Sequence, residues 1–178
     1  YAEDVSVAEI AASVGTPFYV YSTATLVRHF QLFDDALDGM DHCICYAMKA
    51  ASNQAILKTL GNLGAGMDVV SGGEYRRAIS AGIPPEKVVF SGVGKTLEEI
   101  TLALQNGIRQ FNVESDSELE QISAIASSMN KIAPIAIRIN PDVDAQTHEK
   151  IATGKAENKF GIPLSRAREV YSKASQMP

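Results

Sequence analysis

Short apolar segments alternate with amphipathic segments along most of the chain, at a period of about 20–25 residues. Strands that alternate with helices in this way form a parallel sheet with the helices outside it. Glycine follows three of the predicted helices, as is typical of helix ends that lead into a strand, at Gly64, Gly82 and Gly107. The sequence therefore predicts an α/β fold built from repeated strand–helix units.

Five such units are predicted, preceded by a short N-terminal region. The predicted strands of the units are 42–49, 67–70, 87–90, 110–113 and 133–139. Their helices are predicted at about 53–63, 71–82, 96–107, 115–129 and 164–174. The N-terminal region is predicted to contain a helix at 5–14, a strand at 16–21 and a helix at 24–37.

Two architectures accommodate five strand–helix units. The first is a complete doubly wound sheet of the flavodoxin type. The second is five-eighths of a (β/α)8 barrel, which normally requires about 250 residues. The chain has 178 residues, so its length alone favours the doubly wound sheet.

Composition excludes several classes of protein. Apolar residues make up 46% of the chain, charged residues 21%, and the net charge is -5. A nucleic-acid-binding or membrane-surface protein would need a basic face, and no apolar run approaches the length of a membrane span. The two cysteines, Cys43 and Cys45, have no further metal ligands at a recognisable spacing, so we expect no metal site. They are predicted to be free thiols in a reducing cytoplasm.

The first predicted strand of the repeat ends in a lysine. Side chains alternate between the faces of a strand, so Cys43, Cys45 and Ala47 share one face with Lys49. An amine in an apolar setting loses hydration, its pKa falls, and it becomes a nucleophile suited to Schiff-base chemistry. The structural alternative is a lysine that extends from a strand end into water.

Charged and amide side chains occur at the predicted carboxyl ends of the strands. Both candidate architectures place functional residues there, because these ends meet at one opening. We therefore predict a pocket for a small, multiply charged ligand. Glu74 also has a purely structural explanation, since Ser71 and Glu74 match a capping box. The strand-end residues are Lys49, Asp68, Ser91, Gly92, Asn112, Glu114, Arg138 and Asn140.

Two nucleotide-binding motifs are incomplete. The segment 92–96 resembles the end of a P-loop, but the first glycine of that motif would fall at Val89. A dinucleotide fingerprint beginning at Gly64 would need a third glycine at Val69. We therefore expect neither motif to bind a nucleotide. The polar loop at about 140–162, which includes His148 and Lys159, is either a ligand-facing loop or a solvated insertion.

Six segments together resemble the diaminopimelate decarboxylases, a family of pyridoxal 5'-phosphate (PLP) enzymes of fold type III. The resemblance covers essentially the whole chain, in the order and spacing of the family. The segments are Tyr46-Ala47-Met48-Lys49-Ala50, Asp68-Val69-Val70-Ser71-Gly72-Gly73-Glu74, 89–96, Phe111-Asn112-Val113-Glu114-Ser115, 138–144, and Thr153-Gly154 with Lys159-Phe160-Gly161.

The resemblance implies a (β/α)8 barrel of the alanine racemase type, with only about the first five units present. Residues 1–23 would contribute a strand to a separate β domain that is otherwise missing, and residues 24–178 would form a partial PLP-binding barrel. The resemblance thus implies the barrel, whereas chain length alone favours the doubly wound sheet.

The resemblance also implies functional residues. Lys49 would be the catalytic lysine that binds PLP as a Schiff base, and Ala47 the small residue beside the cofactor ring. Asp68, Glu74 and Arg138 would line the cofactor pocket. The reaction would be decarboxylation of meso-2,6-diaminopimelate to L-lysine, in a cytoplasmic homodimer whose active site is shared across the interface. Because family residues that hold the phosphate and the pyridine nitrogen are absent here, the chain alone is predicted to be inactive.

Three other functions stay open. Another decarboxylase of the same fold, acting on ornithine or arginine, or an amino-acid racemase would use the same lysine. A non-catalytic homologue would bind PLP without catalysing a reaction. Such a protein would not need to retain Lys49, so the presence of this lysine argues against it. A Schiff-base aldolase on a barrel would need no cofactor.

Overall fold

The computed structural model describes residues 1–143 and 160–177. Within them, five parallel strands form one sheet: β1 (Cys45–Ala47), β2 (Gly66–Val69), β3 (Val88–Phe90), β4 (Gln110–Val113) and β5 (Ile135–Ile137). Two further strands, β6 (Ile139–Asn140) and β7 (Ile162–Pro163), pair with each other in parallel.

Seven α-helices occur in the described residues. They are α1 (Val7–Val14), α2 (Thr23–Ala36), α3 (Gln54–Asn62), α4 (Gly72–Ser80), α5 (Leu97–Gln105), α6 (Asp116–Ser128) and α7 (Ala167–Ala174). Short 3-10 helices at Pro85–Lys87 and Leu164–Arg166 precede β3 and α7. All five predicted strand–helix units are therefore present.

The order of the strands in the sheet decides between the two architectures. The order is β1-β2-β3-β4-β5, so each strand is added beside the preceding one. Because parallel crossover connections are right-handed, this order places the connecting helices on one face. A doubly wound sheet instead reverses its strand order at a switch point and carries helices on both faces. The preference for a doubly wound sheet was wrong, and the five strands form part of a (β/α)8 barrel.

The two faces of the sheet differ in burial. The helix-covered face is apolar and is fully buried in the three central strands, and the Phe90 and Phe111 rings stack within it at a centroid distance of 6.2 Å. The opposite, concave face carries small and polar side chains such as Ala47, Asp68 and Asn112, which are half-buried. The core therefore lies between the sheet and its helices, and the concave face is accessible to a ligand.

Helix ends follow the sequence signals. Gly64, Gly82 and Gly107 adopt φ values of 102°, 89° and 76°, a region that glycine enters without steric cost. Ser71 and Ser115 begin α4 and α6, each accepting a hydrogen bond from a backbone N–H in the first turn. These caps fix where each helix starts after a strand, and so they fix the loops at the carboxyl ends of the strands.

The predicted strand at 16–21 is not formed. A strand requires a neighbour to receive its hydrogen bonds, and none of the described strands pairs with this segment. Tyr19 within it is 92% exposed, and α1 has no buried residue. The assignment of residues 1–23 to a separate β domain stays a prediction.

The predicted strand at 133–139 is divided at Arg138. The backbone N–H of Arg138 donates to the Val113 carbonyl, which continues the pairing with β4. Its carbonyl instead accepts from the N–H of Ile162, at 2.8 Å, which begins the pairing with β7. The chain therefore changes partner at this residue, and Arg138 is placed where the sheet opens.

None of the helices in residues 1–143 and 160–177 is long and apolar enough to cross a lipid bilayer. The same described residues contain no group of three or more potential metal ligands among His, Cys, Asp and Glu.

Candidate active site

A pocket of about 500 Å³ opens at the carboxyl ends of the strands. Its volume lies within the range of small-molecule sites, about 300–1,000 Å³. Residues from all five strand ends and from the segment after the undescribed residues contribute to it. Its lining consists of Lys49, Asp68, Val70, Ser91, Gly92, Asn112, Glu114, Ala136, Ile137, Arg138 and Phe160.

Lys49 lies in a tight turn directly after β1 and lines this pocket. The turn is anchored by its neighbour Met48, which is 1% exposed and donates its backbone N–H to the Asp68 carbonyl at 3.0 Å. The N–H of Ala50 donates back to the Ala47 carbonyl. Lys49 itself is exposed, so the expectation of an amine buried in apolar surroundings is not met in this chain. Its amine is instead available to a ligand in the pocket.

A chain of side-chain hydrogen bonds crosses the sheet and ends at Asp68. The Gln110 amide donates to Asn112 Oδ1 at 2.7 Å, and the Asn112 amide donates to Ser91 Oγ at 2.9 Å. The Ser91 hydroxyl then donates to Asp68 Oδ1 at 2.5 Å. Hydrogen bonds donated to an ionised carboxylate are stronger than neutral ones. The chain therefore fixes the orientation of Asp68 in the pocket.

Glu114 fixes the opposite side of the pocket. Its side chain is 3% exposed and accepts from Arg138 Nη1 at 2.9 Å and from the Gly161 N–H at 3.1 Å. The Arg138 guanidinium also lies over the Phe160 ring, 5.0 Å from its centroid. Gly161 has φ +76°, and a Cβ there would lie 2.9 Å from the Arg138 carbonyl oxygen, so this close approach requires glycine.

Lys95 connects the loops beneath the pocket and does not face it. Its side chain is fully buried, and its amine donates to the Gly92 and Asn112 carbonyls, each at 2.8 Å, and to Glu118 Oε1 at 2.6 Å. Glu118 Oε2 accepts the Glu114 N–H at 2.6 Å. The lysine of the incomplete P-loop motif is thus directed into the protein.

The structure brings together three of the five predicted cofactor residues, namely Lys49, Asp68 and Arg138. Ala47 and Glu74 are not among the described lining residues. Ala47 pairs in register with Asp68, directly below the pocket on the concave face. The Glu74 carboxylate accepts a hydrogen bond from the Val70 N–H at 2.8 Å, so it holds the backbone of a residue that lines the pocket. The backbone N–H of Glu74 donates to Ser71 Oγ, which is one of the two hydrogen bonds of the predicted capping box.

Sequence reasoning named Ser91, Asn112 and Glu114 as strand-end residues, and it gave Lys95 no role at the site. No local pattern distinguishes a lysine that turns inward from one that extends into water. His148 and Lys159, together with most of the loop predicted at 140–162, lie outside the described residues.

The sequence matches a protein-family model described as "Pyridoxal-dependent decarboxylase, pyridoxal binding domain" over residues 23–178. It is 54% identical to a diaminopimelate decarboxylase of Haemophilus influenzae over 178 residues, and 52% identical to one of Vibrio cholerae. These alignments cover 100% of this chain and 43% of each relative.

The comparison with solved structures also finds a diaminopimelate decarboxylase. A crystal structure of diaminopimelate decarboxylase from Helicobacter pylori, complexed with L-lysine, superposes with a TM-score of 0.93 at 45% identity. The superposition covers 97% of this chain and 44% of that one. The chain thus spans less than half the length of the proteins that it resembles. On the family match and these identities, the chain belongs to the pyridoxal-dependent decarboxylases, within their pyridoxal-binding domain.

Proposed function

We propose that the protein carrying this chain catalyses PLP-dependent decarboxylation of meso-2,6-diaminopimelate to L-lysine, with Lys49 as the catalytic residue. The observation that carries the proposal is the exposed Lys49 amine, held at the opening of a polar pocket by a buried neighbouring residue. A primary amine in this position suits covalent capture of an aldehyde.

The residues of the pocket fit PLP, which combines an aldehyde, a flat aromatic ring and charged groups. The amine of Lys49 matches the aldehyde. The small, half-buried Ala47 leaves room for a ring on the concave face. Asp68 and Arg138 offer a carboxylate and a guanidinium at fixed positions, the first through Ser91 and the second through Glu114.

The cofactor supplies an electron sink when it is bound, which makes loss of carbon dioxide from an amino acid accessible. The chain contributes binding, orientation and proton transfer. Lys49 Nζ is the group placed to accept or donate a proton as the substrate amine takes its position. Asp68 and Arg138 hold charge on the two sides of the pocket, so they orient a substrate that carries both amine and carboxylate groups.

The proposed substrate is supported by the relatives. The Haemophilus influenzae and Vibrio cholerae proteins are diaminopimelate decarboxylases, and the Helicobacter pylori enzyme was crystallised with L-lysine. L-Lysine is the product that the proposed reaction would form. Identity near 50% over the whole chain is the reason to prefer this substrate to ornithine or arginine.

We further infer a cytoplasmic homodimer whose active site is shared between subunits, with residues 1–23 contributing to a separate β domain. The free thiols of Cys43 and Cys45 are consistent with a reducing compartment. The exposed apolar side chains of the N-terminal region, including Tyr19 and Val20, are consistent with a further surface that covers them.

The proposal is tested by offering meso-diaminopimelate, L-ornithine and L-arginine separately to the purified protein that contains this chain, with PLP present. We expect release of carbon dioxide from meso-diaminopimelate, with L-lysine as the amino-acid product. Turnover of ornithine or arginine alone would contradict the proposed substrate. Residues 1–178 expressed alone are expected to show no turnover, because five strands leave the barrel open.

Replacing Glu114 with alanine is expected to weaken retention of PLP by about 10- to 100-fold, the value of a charge-assisted hydrogen bond. The change removes the acceptor that holds both Arg138 and the Gly161 N–H. Absorbance titration with PLP measures the affinity. Glu114→Gln keeps one neutral acceptor and should lose less; equal affinity in the parent and the alanine variant would show that Glu114 does not position the site.

A further inference from the structure

The two cysteines lie at the other end of β1 from Lys49 and have no role in the proposed reaction. Their sulfur atoms are 3.8 Å apart, and both thiols are free and half-buried. Cys45 is the first residue of β1, and Cys43 lies two residues before it on the same face. They form a pair whose thiols converge on one point.

Gly66 on the neighbouring strand makes room for this pair. It is the register partner of Cys45. A Cβ at Gly66 would overlap the Lys87 carbonyl oxygen, and it would lie 2.9 Å from Cys45 Sγ and 3.3 Å from Cys43 Sγ. A side chain at this position would therefore clash with the backbone that leads into β3 and would also displace the sulfurs. The absence of a side chain on β2 leaves both of them directed into the same space.

The two sulfurs lie close enough for one atom to bond to both after a small movement. Two sulfurs on a tetrahedral zinc are about 3.8 Å apart, and two sulfurs on a pyramidal trivalent centre lie closer, so a small rotation about the Cα–Cβ bond of either cysteine completes the bridge. A structural zinc site would need two more ligands, and the described residues provide no third His, Cys, Asp or Glu at this position. His42 is engaged elsewhere, through Nδ1 to the Met40 carbonyl at 2.8 Å and through Nε2 to Asp34 at 2.9 Å. The pair therefore suits an element that needs only two sulfur ligands from the protein.

The surroundings favour a ligand that leaves no net charge on the sulfurs. Burial, and next the proximity of Cys43, raise the pKa of the Cys45 thiol to about 12. Two cations lie nearby. The Lys87 amine donates to the Gly64 carbonyl, and Arg109 is exposed. A reagent that converts two neutral thiols into two neutral sulfur bonds meets this condition.

A cavity of about 200 Å³ adjoins the pair. Cys43 lines it together with the apolar side chains of Phe30, Ile44 and Leu63. Five ionisable side chains also line it, namely Asp34, Asp41, His42, Lys87 and Arg109. An apolar substituent on the bridging atom would find contacts among the first three side chains.

We propose that Cys43 and Cys45 form a dithiol site for monosubstituted trivalent organoarsenic compounds, with the organic group in the adjoining cavity. In the binding step, R–As=O reacts with two S–H groups. Two As–S bonds form, the arsenic–oxygen bond breaks, and the oxygen leaves as water with both thiol protons. Arsenic remains trivalent, so no oxidant or reductant is required.

Phenylarsine oxide added to the full chain under native conditions provides the test, with intact-mass measurement of the adduct. The chain contains two cysteines in all, so an adduct must use one or both of them. We expect one phenylarsenic group per chain, resistant to a monothiol and released by a dithiol competitor.

The variants Cys43→Ser and Cys45→Ser, which preserve side-chain size, are expected to bind about 100-fold more weakly or worse, since the second As–S bond forms intramolecularly. The proposal is overturned if either variant retains the monothiol-resistant adduct. It is equally overturned if the native chain forms no adduct while the urea-unfolded chain does, because the cysteines would then be inaccessible in the fold.

Discussion

Replacing Lys49 with arginine is expected to abolish covalent capture of PLP and to lower the rate of decarboxylation by about 10²–10⁴-fold or more. Arginine preserves the positive charge but stays protonated, so it is neither a nucleophile nor a proton-transfer group at neutral pH. Because Lys49 is exposed, the substitution should leave the packing of the sheet intact. The loss would therefore be chemical and not structural.

Borohydride reduction followed by peptide mass analysis measures the capture directly, and carbon dioxide release measures turnover. Lys58→Arg is the matched control, since Lys58 is an exposed lysine on α3. It should retain both the reduced pyridoxyl group on Lys49 and full turnover. A reduced adduct with substrate in the absence of PLP would instead favour a Schiff-base aldolase, and unchanged turnover in Lys49→Arg would refute the role of Lys49.

Replacing Lys95 with methionine is expected to lower the free energy of unfolding by about 3–5 kcal/mol. The side chains of Lys95 and Glu118 are 0% and 10% exposed, so removal of the amine leaves a carboxylate with little access to water. Two backbone carbonyls, of Gly92 and Asn112, lose their donor at the same time. Both losses fall on the loops that support the pocket.

Urea denaturation of the parent and the variant measures the change. Lys173→Met is the matched control: Lys173 also pairs with a glutamate, Glu120, but these side chains are 38% and 60% exposed. Its removal should leave the free energy of unfolding nearly unchanged. The double substitution Lys95→Met with Glu118→Gln should recover part of the loss. Equal, small effects at Lys95 and Lys173 would contradict the assignment of a buried pair.

The sequence predicted the units of the fold well because their signals are local. A glycine that ends a helix and a serine that begins one act on their own neighbours, and Gly64 and Ser71 lie where the pattern placed them. The segment at 16–21 failed because pairing is not local: an extended, β-prone sequence becomes a strand only beside another strand. The choice of barrel over doubly wound sheet also depends on strand order, which periodicity does not encode.

The candidate site was predictable to the extent that parallel strands bring their carboxyl ends together. This rule alone gathered Asp68, Glu114 and Arg138 in one place. It could not determine which way each side chain turns. Lys49 proved exposed where burial was expected, while Lys95, in a loop of ordinary appearance, is buried. The orientation of Lys95 depends on a partner far along the chain, Glu118, which is 23 residues away.

The sequential strand order also has a consequence for the way in which the domain is made. Cys45 pairs with Gly66, and Met67 pairs with Val88, so each new strand docks on one that left the ribosome about 20 residues earlier. The loops that must close are short and nearly equal, and their entropic cost is correspondingly small and uniform. Synthesis and assembly can therefore proceed in the same direction, one strand–helix unit at a time, and Lys49 is placed at the growing sheet from the first unit onward.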